Sequence, residues 1–256
     1  MRLSKRQQAS LQAMGIPIWV ERNPTAHPVS EPDASLSESE VLPVPETVPV
    51  KIPPEVVPED APLEPLIDIS TLDWEELRQT VSDCQACALA AGRTQAVFGA
   101  GDQSADWMVI GEGPGAEEDK QGEPFVGRAG QLLNKMLAAI GLRREQVYIA
   151  NIVKCRPPQN RDPLPEESAA CSAYLKRQIE LVQPKVILVL GKVAAQNLLQ
   201  KEDALGRLRG APYLFADTGI PVIVTYHPAY LLRKPTDKRK AWEDLKLAVK
   251  LVGGGS

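Results

Sequence analysis

Three short stretches of the chain carry residue types better suited to chemistry than to packing: Gly111-Glu-Gly-Pro-Gly115, Asn151 and His227-Pro228. Three glycines in five residues let a backbone approach a ligand closely, and the carboxylate of Glu112 stands among them. The stretch is not a P-loop, since no Lys-Ser/Thr pair follows, and its spacing is not that of a dinucleotide fingerprint. The acids Glu117-Glu118-Asp119 would also repel phosphate if they faced the same way. Nucleotide hydrolysis is therefore a weak reading. Each feature has a plain structural explanation (a glycine turn, a capping Asn, a satisfied His), but their joint placement at strand ends points to one shared site.

The four cysteines form a second constellation: Cys84-x2-Cys87, then Cys155 and Cys171. Structural zinc sites show two short paired spacings, and only one close pair exists here. Cysteine-only ligation also suits an iron–sulfur cluster. Cys155 follows Asn151 by four residues, which would tie a metal site mechanically to the ligand site. Basic residues gather in three places: Lys154, Arg156 and Arg161; Arg207 and Arg209; and Arg233, Lys234 and Lys238 to Lys240. The first and third adjoin the predicted strand ends and suit phosphate-backbone contacts. Tyr230-Leu-Leu-Arg233 places apolar residues inside a basic loop, as a duplex-opening wedge requires.

A frame must hold these residues. Short apolar runs predict strands at Trp107–Gly111, Val147–Val153, Lys185–Leu190 and Pro221–Tyr226. Helical patterns fall near Asp73–Ser82, Arg128–Ile140, Glu166–Val182, Lys192–Leu199 and Lys238–Val252. Apolar strands alternating with helices predict an α/β fold: a three-layer α/β/α domain around a mostly parallel four-stranded sheet. In such a sheet ligands bind beyond the carboxyl ends of the strands.

The rest of the chain reads differently. Eleven of its 23 prolines lie between Pro24 and Pro65, a stretch without Phe, Trp or Tyr, and residues 31–64 hold nine Asp/Glu against one lysine. Such composition predicts a disordered, acidic N-terminal arm. The expected division is a short partner-binding peptide at 1–23, a linker at 24–70, a catalytic domain at 71–252 and a linker or tag remnant at 253–256. No apolar run approaches a membrane span, and Met1-Arg-Leu-Ser-Lys-Arg leads into no signal-peptide core. With cysteines suited to a reducing compartment, the expectation is a monomeric cytoplasmic bacterial protein, associated with the nucleoid and away from membranes.

The segments Gly111–Asp119, Gly122–Leu133 (Gly-Glu-Pro-Phe-Val-Gly-Arg-Ala-Gly-Gln-Leu-Leu), Asn151–Pro158 (Asn-Ile-Val-Lys-Cys-Arg-Pro-Pro) and His227–Arg233 resemble the family 4 uracil-DNA glycosylases. The resemblance runs from about Leu72 to Val252 and includes all four cysteines. It implies a [4Fe–4S] cluster on Cys84, Cys87, Cys155 and Cys171, and removal of uracil from single- and double-stranded DNA without a redox step. Residue by residue it implies that Phe125 stacks on an extruded base. Asn151 would pair with uracil O4 and N3–H, which excludes cytosine. Neutral His227 would donate to O2 as the glycosidic bond breaks, and Glu112 would stabilise the oxocarbenium-like sugar or hold water. Gly111 and Gly113 would border the base, Glu118 or Asp119 would close the pocket around C5, and Leu231, Leu232, Arg233, Lys234, Arg156 and Arg161 would meet DNA. A neighbouring group traps its product through a histidine in a basic insertion; here Cys155–Pro165 contains none, so ordinary turnover is expected. The competing reading is a non-catalytic iron–sulfur accessory module of a polymerase, which would have no need of the intact set Glu112, Phe125, Asn151 and His227. The peptide Arg6–Pro24 resembles the N-terminus of the clamp-loader psi subunit, implying a replication partner held through a tether.

Overall fold

The computed structural model describes residues 68–253. The expected N-terminal peptide, nearly all of the linker and the last three residues lie outside the described residues.

Nine helices and six strands alternate along the described chain: α1 (Trp74–Asp83), α2 (Leu89–Gly92), β1 (Ala100–Gly101), β2 (Trp107–Gly111), α3 (Ala116–Gln121), α4 (Arg128–Ala139), β3 (Tyr148–Asn151), α5 (Pro165–Val182), β4 (Val186–Leu190), α6 (Lys192–Leu199), α7 (Leu205–Leu208), β5 (Pro212–Phe215), β6 (Ile220–Thr225), α8 (Pro228–Arg233) and α9 (Lys238–Gly253). The sheet order is β1-β3-β2-β4-β6-β5, with β3, β2, β4 and β6 parallel and β1 and β5 antiparallel at the edges.

The parallel centre is the four-stranded sheet expected from sequence; the two edge strands are additions to it. Neither is buried along its length. β1 is an Ala-Gly pair, and β5 opens on Pro212 and leaves Leu214 64% exposed, as edge strands tolerate.

Period-two alternation divides the central strands between two cores. Met108, Ile110, Tyr148, Ala150, Ile187, Val189, Val222 and Val224 face Leu77 and Val81 of α1 and Leu175, Ile179 and Val182 of α5. Trp107, Val109, Ile149, Val186, Leu188, Leu190 and Ile223 face Leu133 and Leu137 of α4, Leu231 of α8 and Leu245 and Ala248 of α9. Helices thus cover both faces, and the layers are α/β/α.

Local chemistry sets the helix starts. Asp73 accepts hydrogen bonds from the Glu75 and Glu76 amides at 2.9 Å, while the Asp73 amide donates back to Glu76 at 3.0 Å, a reciprocal box that begins α1. Pro165 occupies the first turn of α5, where its missing N–H costs nothing. His227 caps α8 with its own side chain. The parallel register of the central strands places the ends of β2, β3 and β6 on one rim of the sheet.

Candidate active site

The rim holds a cleft of about 450 Å³ whose walls include Glu112, Gly113 and Glu118 after β2, Phe125 before α4, Asn151 at the end of β3, Asn160, Arg161 and Asp162 in the following loop, and His227, Tyr230 and Arg233 around α8. Four residues singled out from sequence, Glu112, Phe125, Asn151 and His227, therefore share one cavity.

Asn151 is 1% exposed, and its side-chain Oδ1 is buried without a hydrogen-bond partner. A buried orphan acceptor costs about 1–3 kcal/mol, so its persistence marks a place where a ligand donor belongs. Gly111 makes the approach possible. A Cβ there would come within 2.5 Å of both Asn151 Oδ1 and the Phe125 ring.

Phe125 adopts φ +55°, a left-handed conformation uncommon for an aromatic residue. Three contacts hold it. The Arg144 guanidinium donates to the carbonyls of Pro124 and Phe125, the latter at 3.3 Å. The Glu118 carboxylate accepts from the amides of Val126 and Gly127 at 3.0 and 3.1 Å. Gly130 allows the α4 backbone to pass beneath, since a Cβ there would lie 1.7 Å from the Phe125 carbonyl oxygen. Arg144 lies outside every motif read from sequence, and only its role on the Phe125 backbone reveals it.

The His227 ring centroid is 5.5 Å from that of Phe125, with the planes 34° apart. Its Nδ1 accepts a hydrogen bond from the Ala229 amide at 3.2 Å. The ring proton therefore resides on Nε2, leaving Nε2–H as the free donor. Burial, followed by the charge of Arg233, pushes the imidazole pKa down to about 4, so the ring is neutral at physiological pH. Glu112 shifts the other way: burial, then the charge and hydrogen bond of Asp162, raise it to about 7.

Residues 98–246 match the model of the uracil DNA glycosylase superfamily. A type-4 uracil-DNA glycosylase of Archaeoglobus fulgidus is 44% identical over 185 residues, 70% of this chain and 93% of the relative. The Thermotoga maritima type-4 enzyme is 46% identical over 70% of this chain and 96% of its own length. A third relative of the same description, from Pyrobaculum aerophilum, is 41% identical over 72% of this chain. The chain belongs to the type-4 uracil-DNA glycosylase family.

Within this type-4 glycosylase scaffold, several residues expected at the site stand elsewhere. Asp119 turns away from the cleft: its carboxylate accepts from the Thr94 amide at 2.9 Å and the Thr94 hydroxyl at 2.7 Å, tying α3 to the 93–97 segment. The three acids of α3 thus take three directions, because Glu117 pairs with Lys120 and Glu118 holds the Phe125 loop. Leu231 is 1% exposed and packs in the core, so it is not a wedge; Leu232, at 37% exposure, faces out. The helical phase of α8, a segment read as loop from sequence, explains the exchange. Arg209 is also withdrawn, held by Asp244 at 2.7 Å and laid over Tyr226.

The remaining cations vary in availability. Arg161 lines the cleft but is bound by both oxygens of Glu167, at 2.8 and 2.6 Å. Arg156 donates to Asn160 at 2.7 Å, and Lys234 pairs with Asp237 at 3.5 Å. Arg233 borders the cleft and forms no ion pair among the described residues.

The four cysteines line one small cavity together with Val81, Ala90, Arg93, Lys154 and Tyr174. Among the described residues no three His, Cys, Asp or Glu side chains converge on a position for a single ion. The thiols instead surround a volume, a donor set that fits a polynuclear, thiolate-bound cluster better than one zinc ion. N–H groups already point at the sulfurs: Arg93 donates to Cys155 at 2.9 Å, the Lys154 amide to Cys171 at 3.4 Å and the Ala86 amide to Cys84 at 3.5 Å.

Lys154 corrects a sequence expectation. At 1% exposure it is no phosphate contact; its ammonium donates to the Asn151 carbonyl at 2.9 Å and to Gln178 at 2.6 Å. It joins the end of β3 to α5, and through its amide to Cys171.

Proposed function

We propose that the protein hydrolyses the bond between deoxyribose C1′ and N1 of uracil in DNA and leaves the sugar–phosphate backbone intact. The observation that carries this reading is the orphaned Oδ1 of Asn151 beside Phe125 and the free Nε2–H of a neutral His227. A base must leave the stack to enter such a cleft. Phe125 offers it a face, and Asn151 accepts N3–H and donates to O4. Cytosine presents the opposite polarity at both positions and leaves buried groups unpaired.

As the C1′–N1 bond breaks, its electron pair moves onto the uracil ring and reaches O2. Nε2–H of His227 stabilises that charge as a donor already in place. The cation left at C1′ is met by Glu112 in its carboxylate form. Water adds at C1′ and loses a proton to that carboxylate, which releases it to solvent. Among the described residues no lysine lines the cleft to form a Schiff base, which supports a monofunctional hydrolase.

Cys84, Cys87, Cys155 and Cys171 would hold a [4Fe–4S] cluster. When bound, it would supply a covalent cross-link among the segment after α1, the segment after β3 and α5. Arg93 and the amides of Ala86 and Lys154 orient the sulfurs, and Lys154 transmits their position to the Asn151 backbone. The partner of the cleft is uracil-containing DNA, contacted by Leu232, Arg233, Lys234 and Arg156. Residues 6–24 are proposed as the peptide that binds a replication or clamp-loader subunit, with the following linker as its tether, and the cytoplasm with its nucleoid as the working place. Among the described residues no helix is long and apolar enough to cross a membrane.

The test is incubation with a uracil-containing oligonucleotide, followed by alkali. Free uracil and alkali-dependent cleavage are expected. Cleavage without alkali, or uracil retained on the protein, contradicts the reading.

A further inference from the structure

We infer that Arg144 is a positioning residue for base capture: its guanidinium grips the backbone that carries Phe125 and so fixes the face on which an extruded base stacks. Phe125 holds φ +55°, a conformation that an aromatic residue leaves for the extended region unless its surroundings prevent it. Nη2 of Arg144 donates to the Pro124 carbonyl and Nη1 to the Phe125 carbonyl at 3.3 Å. One planar fork thus spans two successive carbonyls and fixes the rotation between them, which a point charge on a flexible stem would not. The ring held in this way ends against Gly111, where Asn151 Oδ1 also arrives.

The other supports of Phe125 do not replace this grip. Glu118 holds the amides of Val126 and Gly127, on the far side of the residue, and Gly130 only leaves room for the Phe125 carbonyl. Among the described residues Arg144 forms no ion pair, so its charge is spent on the two carbonyls. Arg144 also opens the short turn Arg144–Gln146 that leads into β3, and Asn151 is the last residue of that strand. One strand therefore carries both the residue that reads the base edge and the anchor of the ring that takes the base face.

The inference rests on the proposed role of Phe125 as the stacking face. Without the fork, the Pro124–Phe125 peptide can rotate and the ring leaves its place, while Asn151 on β3 and His227 on α8 keep their own supports. Loss of one base–aromatic stack weakens binding by about tenfold to a hundredfold. Arg144→Ala should therefore cost about tenfold or more in capture of an extruded uracil, and should cost little further once the ring itself has been removed.

The experiment is a double-mutant cycle on the full-length protein: wild type, Arg144→Ala, Phe125→Ala and the double variant, in single-turnover excision from a uracil oligonucleotide. The reaction amplitude counts the active molecules, so misfolding is read separately from capture. Binding is measured in parallel on the same oligonucleotide with 2′-fluoro-2′-deoxyuridine, whose fluorine disfavours the oxocarbenium-like sugar and blocks hydrolysis, and with thymine at that position. Arg144→Ala should lower kcat/KM and raise Kd for the fluorinated site about tenfold, with Kd for the thymine oligonucleotide unchanged. The double variant should match Phe125→Ala within about twofold. Arg144→Gln, whose amide reaches one carbonyl at most, carries the same comparison if Arg144→Ala does not fold. Losses that multiply in the double variant, or a lower amplitude with wild-type kcat/KM per active molecule, overturn the inference. A Phe125→Ala protein with wild-type excision and binding overturns instead the stacking role of Phe125, so the two failures are separable.

Discussion

The cleft and the cysteine cavity lie on either side of the segment 151–155, yet they treat polar groups in opposite ways. In the cleft, Asn151 Oδ1 is left without a partner, Nε2–H of His227 is free, and Glu112 is pushed toward neutrality. In the cysteine cavity the polar atoms are already served, with N–H donors on Cys84, Cys155 and Cys171 and a buried Lys154 bonded twice through its ammonium. Under the proposed function, a passing nucleobase would complete the first region and a resident cluster would fill the second. Unsatisfied groups would then mark the exchangeable ligand, and pre-oriented donors the resident one.

The most severe test of this contrast is Cys171→Ser. If the thiols hold a resident cluster, anaerobically purified protein should contain about four irons per chain. The variant should lose that iron and its visible absorbance, together with much of its thermal stability. Stoichiometric zinc and a colourless wild-type protein would break the comparison.

A change in the cleft should spare the iron and strike the rate. His227→Ala should slow single-turnover excision by about 10²–10³, the scale for one lost oxyanion donor, with unchanged absorbance. Wild-type rate in that variant would remove His227 from the mechanism.

The two titrating groups of the cleft also give opposite stability signatures. His227 has a folded pKa of about 4 against an ordinary 6.5, so the unfolded chain binds more protons in that window and the group makes stability rise with pH. Glu112, at about 7 against 4.5, binds more protons when folded and makes stability fall as pH rises. Between pH 4.5 and 6.5, His227→Gln should tilt the wild-type stability curve toward falling with pH and Glu112→Gln toward rising, each by at most about 1.4 kcal/mol per pH unit. Denaturant midpoints across that range would show it, and tilts of the same sign would refute the assignments.

Asp119→Asn should act on neither region. Weakening two buried hydrogen bonds to Thr94 should cost about 1–3 kcal/mol, measured by urea unfolding, while iron content and excision at saturating enzyme stay within twofold of wild type. A tenfold loss of rate would return Asp119 to the cleft. Smaller still, removing residues 1–65 should leave excision from short oligonucleotides unchanged, since the family match begins at residue 98.

What the sequence made legible follows from the same physics. Asn151, His227 and Glu112 stood out because polar residues at the ends of apolar strands have few structural reasons to be there. The parallel strands were legible because burial on both faces requires continuous apolar runs. The direction of a side chain on a short helix was not. Leu231 and Leu232 differ only in phase on α8, and Asp119 and Glu118 only in phase on α3. Nor does a basic residue announce its partner: Lys154 looked like a phosphate contact, but its ammonium is bonded to Gln178 and to the Asn151 carbonyl. Arg144 escaped because its role is held across 19 residues of chain, on the Phe125 carbonyl.

The order of the strands also carries a consequence for biosynthesis. The last cysteine is residue 171, whereas the cleft needs His227 from the far side of β6, a strand that docks beside β4. A chain emerging from the ribosome therefore exposes all four cysteines before it exposes His227. The cysteine-bearing half can be assembled while β6, α8 and α9 are still being made, and the cleft is complete only with the final quarter of translation.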